Sequence, residues 1–145
     1  MAVTDHIPDL ERHRLRRYIE SLPASHLERV EGAADLIDVA ARLEGNAKAV
    51  MFHAPGGGST ELVGSVMASR ERLALAFGTT PDKLVSEVLT RLRTPQPVVD
   101  VPREQAPVQQ VVLQGDDADL TRLPAHLQHE LDGAPYISAS IDFTI

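Results

Sequence analysis

Apolar residues recur at helical spacing in several stretches of this chain and cluster in short β-prone runs between them. From Asp9 to Leu22, the residues Leu15, Tyr18, Ile19 and Leu22 share one face, with Asp9 as the expected N-cap and Pro23 as the stop. From Ala33 to Leu43, Leu36, Ile37, Ala40 and Leu43 fall in register, and Gly45 stands where a helix closes in the left-handed region. Ser69 to Phe77 is expected to be a short helix capped by Ser69, with Glu71 in its first turn and Gly78 behind it. Thr80-Pro81-Asp82 is a helix-start signal for a run to Leu92. Its stripe of Leu84, Val85, Val88, Leu89 and Leu92 is expected to pack on a sheet.

Strands are predicted at His26–Glu31, Ala49–His53, Glu61–Met67, Val108–Leu113 and Tyr136–Ile145. Between the second and third lies Pro55-Gly56-Gly57-Gly58-Ser59-Thr60. The glycine run lacks the Lys-Ser/Thr pair of a phosphate loop and no helix pattern follows it, so it is read as a hairpin loop. Thr94 to Pro107 carries Pro95, Pro97, Pro102 and Pro107 and reads as an extended linker. Gly115-Asp116-Asp117 is an expected turn, Asp119 to Pro124 a short tethered segment, and His126 to Pro135 a polar loop. These elements predict a mixed α/β (α+β) fold: an α/β region over 1–104 with the linker at its end, then a second unit over 105–145. The last strand, Tyr136, Ile137, Ile141, Phe143 and Ile145, has no turn, cap or polar tail after it. An unpaired apolar strand is an aggregation hazard, so the unit from Val108 is expected to be completed by another polypeptide, or the chain to be a fragment.

Composition narrows the classes further. The chain has 145 residues, 43% hydrophobic and 24% charged, which excludes a largely disordered or collagen-like protein. Its aromatic residues are Tyr18, Phe52, Phe77, Tyr136 and Phe143, so aliphatic side chains must make most of the core. The net charge of −7 disfavours a phosphate-backbone partner. Arg12, His13, Arg14, Arg16 and Arg17 form a basic cluster. With an acidic remainder and no aromatic platform, it reads as the solvated face of a helix; nucleic-acid binding is the competing reading. There is no Cys, which removes disulfides, thiolate metal sites and a Cys nucleophile and agrees with a reducing cytoplasm. The first ten residues lack the apolar run of a signal peptide, and no apolar segment is long enough to span a bilayer.

Chemistry is sparse along the chain. His126-Leu127-Gln128-His129-Glu130 is the densest polar cluster, but its spacing matches no zinc-hydrolase motif. Asp116, Asp117 and Asp119 lack the glycine and distal glutamate of a calcium loop. Ser138 and Ser140 alternate with apolar residues on the last strand and face either a pocket or solvent. There is no Gly-x-Ser-x-Gly elbow. By these criteria the chain alone does not read as a complete enzyme, and no catalytic or metal-ligating residue is assigned within it.

Three segments, in order and at matching intervals, resemble the N-terminal part of the UbiD family of decarboxylases. They are Leu62–Gly78, with its Ser69-Arg70-Glu71-Arg72 helix start; Ala106–Pro124, reading APVQQVVLQGDDADLTRLP; and His129 with Asp132-Gly133-Ala134-Pro135-Tyr136-Ile137. The resemblance implies reversible, non-oxidative decarboxylation of aromatic or α,β-unsaturated carboxylic acids. It also implies prenylated FMN held with Mn2+ or Mg2+ and K+, and an oligomeric, cytoplasmic enzyme. The implied fold is an N-terminal α/β lobe followed by the first strands of a split β-barrel flavin-binding domain. The family's metal-binding and catalytic acidic segments match nothing in this chain. They would come from the remainder of the decarboxylase, as a second polypeptide or a missing C-terminal part. Ser138 and Ala139, on the strand that the resemblance places near the flavin, are the expected cofactor-proximal residues, and the side chain of His129 is expected to tie its loop to the sheet. A non-catalytic binding or assembly module that keeps this fold is the alternative.

Overall fold

Ala49-Val50-Met51-Phe52 is an uninterrupted apolar run, the pattern of a strand covered on both faces. In the computed structural model, which describes residues 11, 14–98, 100–127 and 129–135, this run is the middle strand of a three-stranded sheet. The elements are α1 (Leu15–Ser21), β1 (Leu27–Ala34), α2 (Leu36–Leu43), β2 (Ala49–Pro55), β3 (Leu62–Gly64), α3 (Arg70–Ala76) and α4 (Leu84–Arg93). Short 3-10 turns follow at Arg103–Gln105, Pro107–Gln109, Gly115–Asp117 and Leu120–Arg122. β1 and β2 run parallel, with Leu27 opposite Ala49 and Ala34 opposite Pro55, and α2 makes the crossover between them. β2 and β3 are antiparallel, with Phe52 opposite Leu62 and Val50 opposite Gly64.

The chain divides into two compact units. One holds Leu22–Leu73 and the described residues from Leu120 onward; the other holds Ala74–Asp119 and the described residues up to Ser21. In the first, the core is Val39 of α2 against Val50 and Phe52 of β2, all fully buried. Val30, Ala34, Leu36, Leu43 and Leu62 pack around it. Burying each such side chain contributes roughly 1.5–3 kcal/mol. Alternation carries Ala49 and Met51 to the other face of β2, where they too are buried. In the second unit Ile19, Ala74 and Leu84 are buried.

Local signals set most element ends. The Asp35 carboxylate accepts from the Ile37 N–H at 3.2 Å and starts α2, and Gly45 takes φ 66° just past its end. The C-terminus of α3 closes as a Schellman motif. The Gly78 N–H donates to Leu75 O, the Thr79 N–H donates to Ala74 O, and Gly78 has φ 65°.

Several expectations are corrected. β1 runs past Glu31 to Ala34, through an irregularity between Val30 and Ala33, so α2 starts at Leu36 rather than Ala33. The ladder with β2 outlasts the local helix signal. The strand expected over Glu61–Met67 is only Leu62–Gly64, because Ser65 turns the chain at φ 55° and accepts from the Ala68 N–H. Pro81–Lys83 is a turn closed by Lys83 N–H to Thr80 O, and α4 begins at Leu84. The α4 stripe does not pack as expected: Leu84 is buried, but Val85, Leu89 and Leu92 are exposed. Val108–Leu113 is not a strand. It is a 3-10 turn followed by irregular, exposed chain, because no described segment supplies its ladder. The expected N-cap Asp9, the basic residues Arg12 and His13, and the strand Tyr136–Ile145 lie outside the described residues.

Candidate functional site

The parallel strands β1 and β2 end together, Ala34 beside Pro55, and the loops that follow them frame the same edge of the sheet. In open α/β sheets this carboxyl edge is where ligands bind. Here an open cleft of about 460 Å³ lies along it, lined by Leu36, Gly56, Ser59, Thr60, Thr121 and Arg122 among others. Gly56 and Gly57 both adopt positive φ, at 64° and 74°. A Cβ on Gly56 would stand 3.2 Å from Leu36 Cγ, so glycine lets the loop cross the start of α2. The loop amides are already used. Gly56 N–H donates to Ala34 O, Gly57 N–H to Ala54 O, and Gly58 N–H to Pro55 O. The first extends the pairing of β2 with β1 and the other two close the turn after β2, so none of the three is turned out to cradle phosphate, in keeping with the hairpin reading of the glycine run.

A polar row crosses the sheet next to this edge. His53 on β2 sits between Glu61, just before β3, and Glu31 on β1. Its Nδ1 is 2.8 Å from Glu61 Oε1, and since a carboxylate only accepts, the imidazole donates. Its Nε2 is 3.7 Å from Glu31 Oε2 and is buried without a hydrogen-bond partner. Glu61 thus fixes the ring orientation and leaves the second nitrogen facing another carboxylate. The sequence reading missed this row, although the hairpin carries a signal for it. With Phe52 opposite Leu62, continuing the register puts His53 opposite Glu61.

Among the described residues, Arg72 is the largest fully buried side chain. It sits in α3, whose start is held by the Ser69 hydroxyl accepting the Arg72 N–H. The guanidinium donates to Val66 O at 3.0 Å, Ala47 O at 2.7 Å and Ser65 O at 2.9 Å. A planar fork of five donors suits three carbonyls arriving from two loops, which one ammonium cannot span. The second arginine of the Ser-Arg-Glu-Arg segment is therefore a clamp between α3, the turn after β3 and the turn before β2. Beside it, Glu71 has its carboxyl held below the ordinary range, chiefly by a hydrogen bond from the Ser69 hydroxyl and then by its own backbone N–H.

The C-terminal polar loop brings less together. His126 is the buried member of its histidine pair. The bonds at His129 are backbone bonds within the loop, not the expected side-chain tie to the sheet: its N–H donates to Asp132 Oδ2 at 2.8 Å, and the Asp132 N–H donates to His129 O at 3.1 Å. Gly115–Asp117 forms the expected turn. Among the described residues, no group of three or more His, Asp or Glu is placed to hold a metal ion. No described helix is long and apolar enough to cross a membrane. Ser138 and Ala139, the residues expected near the cofactor, lie outside the described residues.

Comparison with known proteins gives this geometry its context. Residues 24–92 match the N-terminal domain of 3-octaprenyl-4-hydroxybenzoate carboxy-lyase, and residues 99–144 match the Rift-related domain of the same carboxy-lyase. The pyrrole-2-carboxylic acid decarboxylase of Pseudomonas aeruginosa is 37% identical over 71 residues, covering 47% of this chain and 14% of that protein. An evolved dimeric form of the UbiD-class enzyme HmfF from Pelotomaculum thermopropionicum, solved in complex with prFMN, aligns with a TM-score of 0.77 at 25% identity. That alignment covers 88% of this chain and 31% of the solved one, so the chain spans less than a third of either relative. With both of its domains matched in order, and with a shared fold over most of its length, the chain belongs to the UbiD family of carboxy-lyases.

Proposed function

We propose that this chain forms the N-terminal α/β region and the opening segment of the flavin-binding split barrel of a UbiD-type decarboxylase. The reaction is the reversible, non-oxidative removal of carbon dioxide from aromatic or α,β-unsaturated carboxylic acids. The observation that carries this reading is the succession of the two carboxy-lyase domains along the chain, over 24–92 and 99–144. The gap between the two matches, residues 93–98, supports a boundary within the proline-rich linker Thr94–Pro107. A solved relative bound to prFMN supports prenylated FMN as the cofactor; Mn2+ or Mg2+ and K+ as its ions are what the family resemblance implies. When bound, that group supplies the electron sink for carbon dioxide loss. The described residues do not make a holder for it. They offer no three-ligand metal set, and the amides of Gly56, Gly57 and Gly58 are committed to β1 and to the turn after β2. In this reading the chain contributes scaffold, with Ser138 and Ala139 near the flavin. We place the working enzyme in the cytoplasm as an oligomer, with the remainder of the decarboxylase as this chain's partner.

The test is intact-mass analysis and an absorbance spectrum of the purified protein, alone and co-expressed with a polypeptide carrying the rest of a carboxy-lyase. Each sample is then reconstituted with prenylated FMN, Mn2+ and K+ and assayed for carbon dioxide release from pyrrole-2-carboxylate and 4-hydroxybenzoate. Flavin absorbance and turnover in the assembly, with neither in the chain alone, is the expected result. A stable assembly that binds no flavin and turns over no unsaturated or aromatic acid overturns the reading in favour of a binding module.

A further inference from the structure

The Glu31–His53–Glu61 row is built so that one proton completes a bridge across the sheet. His53 lies on the face of β2 turned away from α2, because Val50 and Phe52 meet Val39 on the other face. Its Nδ1–H is committed to Glu61 at 2.8 Å. The neutral ring then presents a lone pair at Nε2, and Glu31 Oε2, 3.7 Å away, presents only lone pairs in return. Nε2 is buried and has no hydrogen-bond partner. Two acceptors facing each other repel, and a buried acceptor left unpaired costs free energy. A proton on Nε2 reverses both effects. The nitrogen becomes a donor, and the ring becomes a cation between two carboxylates.

The backbone lets that bridge close. Val30 stands opposite Phe52 and Ala33 opposite Ala54, so Glu31 and Gly32 together stand opposite His53, as in a bulge. The Glu31 side chain is 74% exposed, and it can close by roughly 1 Å to the distance of a charge-assisted hydrogen bond. The main contacts of β2 are with β1, β3 and α2. On β1, Arg29 stands opposite Met51 on the same face as His53, one row away, and opposes the added charge. β3 itself carries no charged residue; on α2, Arg42 is turned to Glu28 and Asp38 is exposed. Two carboxylates beside the ring outweigh one guanidinium a row away. The geometry points to His53 as a proton-operated staple: uptake of one proton at Nε2 ties the β1 bulge to β2 and the entry of β3, and its loss releases the bulge. Glu31 and Glu61 lead into Leu36 and out of Ser59 and Thr60, which line the cleft, so the staple sets how firmly that edge is held. The inference concerns this chain's own sheet and does not depend on the decarboxylase reading.

A folded state that holds this proton more firmly than the unfolded chain gains stability as pH falls through the range where imidazoles charge, and loses it as pH rises. Hydrogen exchange read by mass spectrometry on the full chain at pH 8 and pH 5.5, corrected for the intrinsic pH dependence of exchange, measures the closure. Peptides covering 27–34 and 61–64 are expected to gain roughly threefold in protection at pH 5.5, the size of effect that a partly exposed charge pair gives. That gain is expected to vanish in Glu31→Gln, which keeps the size and removes the charge. It is also expected to vanish in His53→Gln, which still offers an amide donor to Glu61 but takes up no proton. Nitrogen-15 spectra, with the His53 signals identified by their loss in His53→Gln, are expected to show both ring nitrogens protonated at pH 5.5 in the parent. An equal gain in the parent and in either variant overturns the staple, because the response then belongs to other groups. So does an Nε2 that stays unprotonated at pH 5.5. A protonated ring with no gain in protection overturns it as well, since the bridge then carries no strain between the strands.

Discussion

Arg72 shows how one side chain joins distant parts of this fold. Its three carbonyl partners lie 6, 7 and 25 residues away in sequence. Arg72→Met keeps the volume and removes the donors, and it is expected to destabilise the protein by about 2–4 kcal/mol, measured as a lower urea midpoint. Arg72→Lys is expected to recover only part of that loss, since one ammonium cannot serve all three carbonyls. Titration adds a second prediction at this scale. Glu71 is held below its ordinary pKa mainly by the Ser69 hydroxyl, and Asp82 mainly by the Thr80 hydroxyl. For a carboxyl depressed on folding, the unfolded chain takes up the proton later on a rising scale of acidity only if its pKa is lower, and here it is higher. The unfolded state therefore binds more protons, and stability is present above the unfolded value of about 4 and lost as pH falls through the folded one. The urea midpoint is expected to fall between pH 5 and pH 3 by less in Glu71→Gln than in the parent, with the linkage setting roughly that window.

At the scale of elements, the close approach of α2 to β3 depends on a residue without a side chain. A Cβ on Gly64 would lie 2.5 Å from Leu43 Cδ2 and 2.6 Å from Cδ1. Gly64→Ala is expected to cost about 1–3 kcal/mol, and Leu43→Ala in the same chain is expected to relieve part of that cost, so the two changes are not additive. Denaturation of the two single variants and the double variant measures the coupling. The hairpin loop and the ends of α2 and α3 were legible in advance, because Gly45, Gly78 and the Gly56–Gly58 run act within a few residues of themselves. The full length of β1 was not, because its continuation to Ala34 depends on pairing with β2, some twenty residues away.

For the whole molecule, the two matched domains meet in an exposed, proline-rich stretch. Limited trypsin digestion is expected to cut first at Arg93 or Arg103, both exposed, and to leave a fragment carrying β1 to α3 intact by mass spectrometry. An early cut at Arg72 would show that the clamp opens more readily than the linker. Arg91 is exposed in α4, yet its guanidinium pairs with Glu87, donates to Phe77 O and covers the Phe77 ring at 4.9 Å. It is accordingly expected to be cut later than Arg93, at the helix end, and Arg103.

The amino-acid order already carried the mixed α/β class, the strand at Ala49–His53, the helix stops and the family resemblance, since propensity, caps and turns are short-range and each of the three matching segments is contiguous in the chain. The candidate site was only half visible there. The glycine hairpin could be read from its residues, whereas the Glu31–His53–Glu61 row and the burial of Arg72 could not. Those arise from strand register and from the meeting of loops far apart in sequence. The strand expected at Val108–Leu113 marks the same divide from the other side. Its β-propensity is local, but a strand exists only with a neighbour to take its backbone hydrogen bonds, and packing in three dimensions determines whether that neighbour is there.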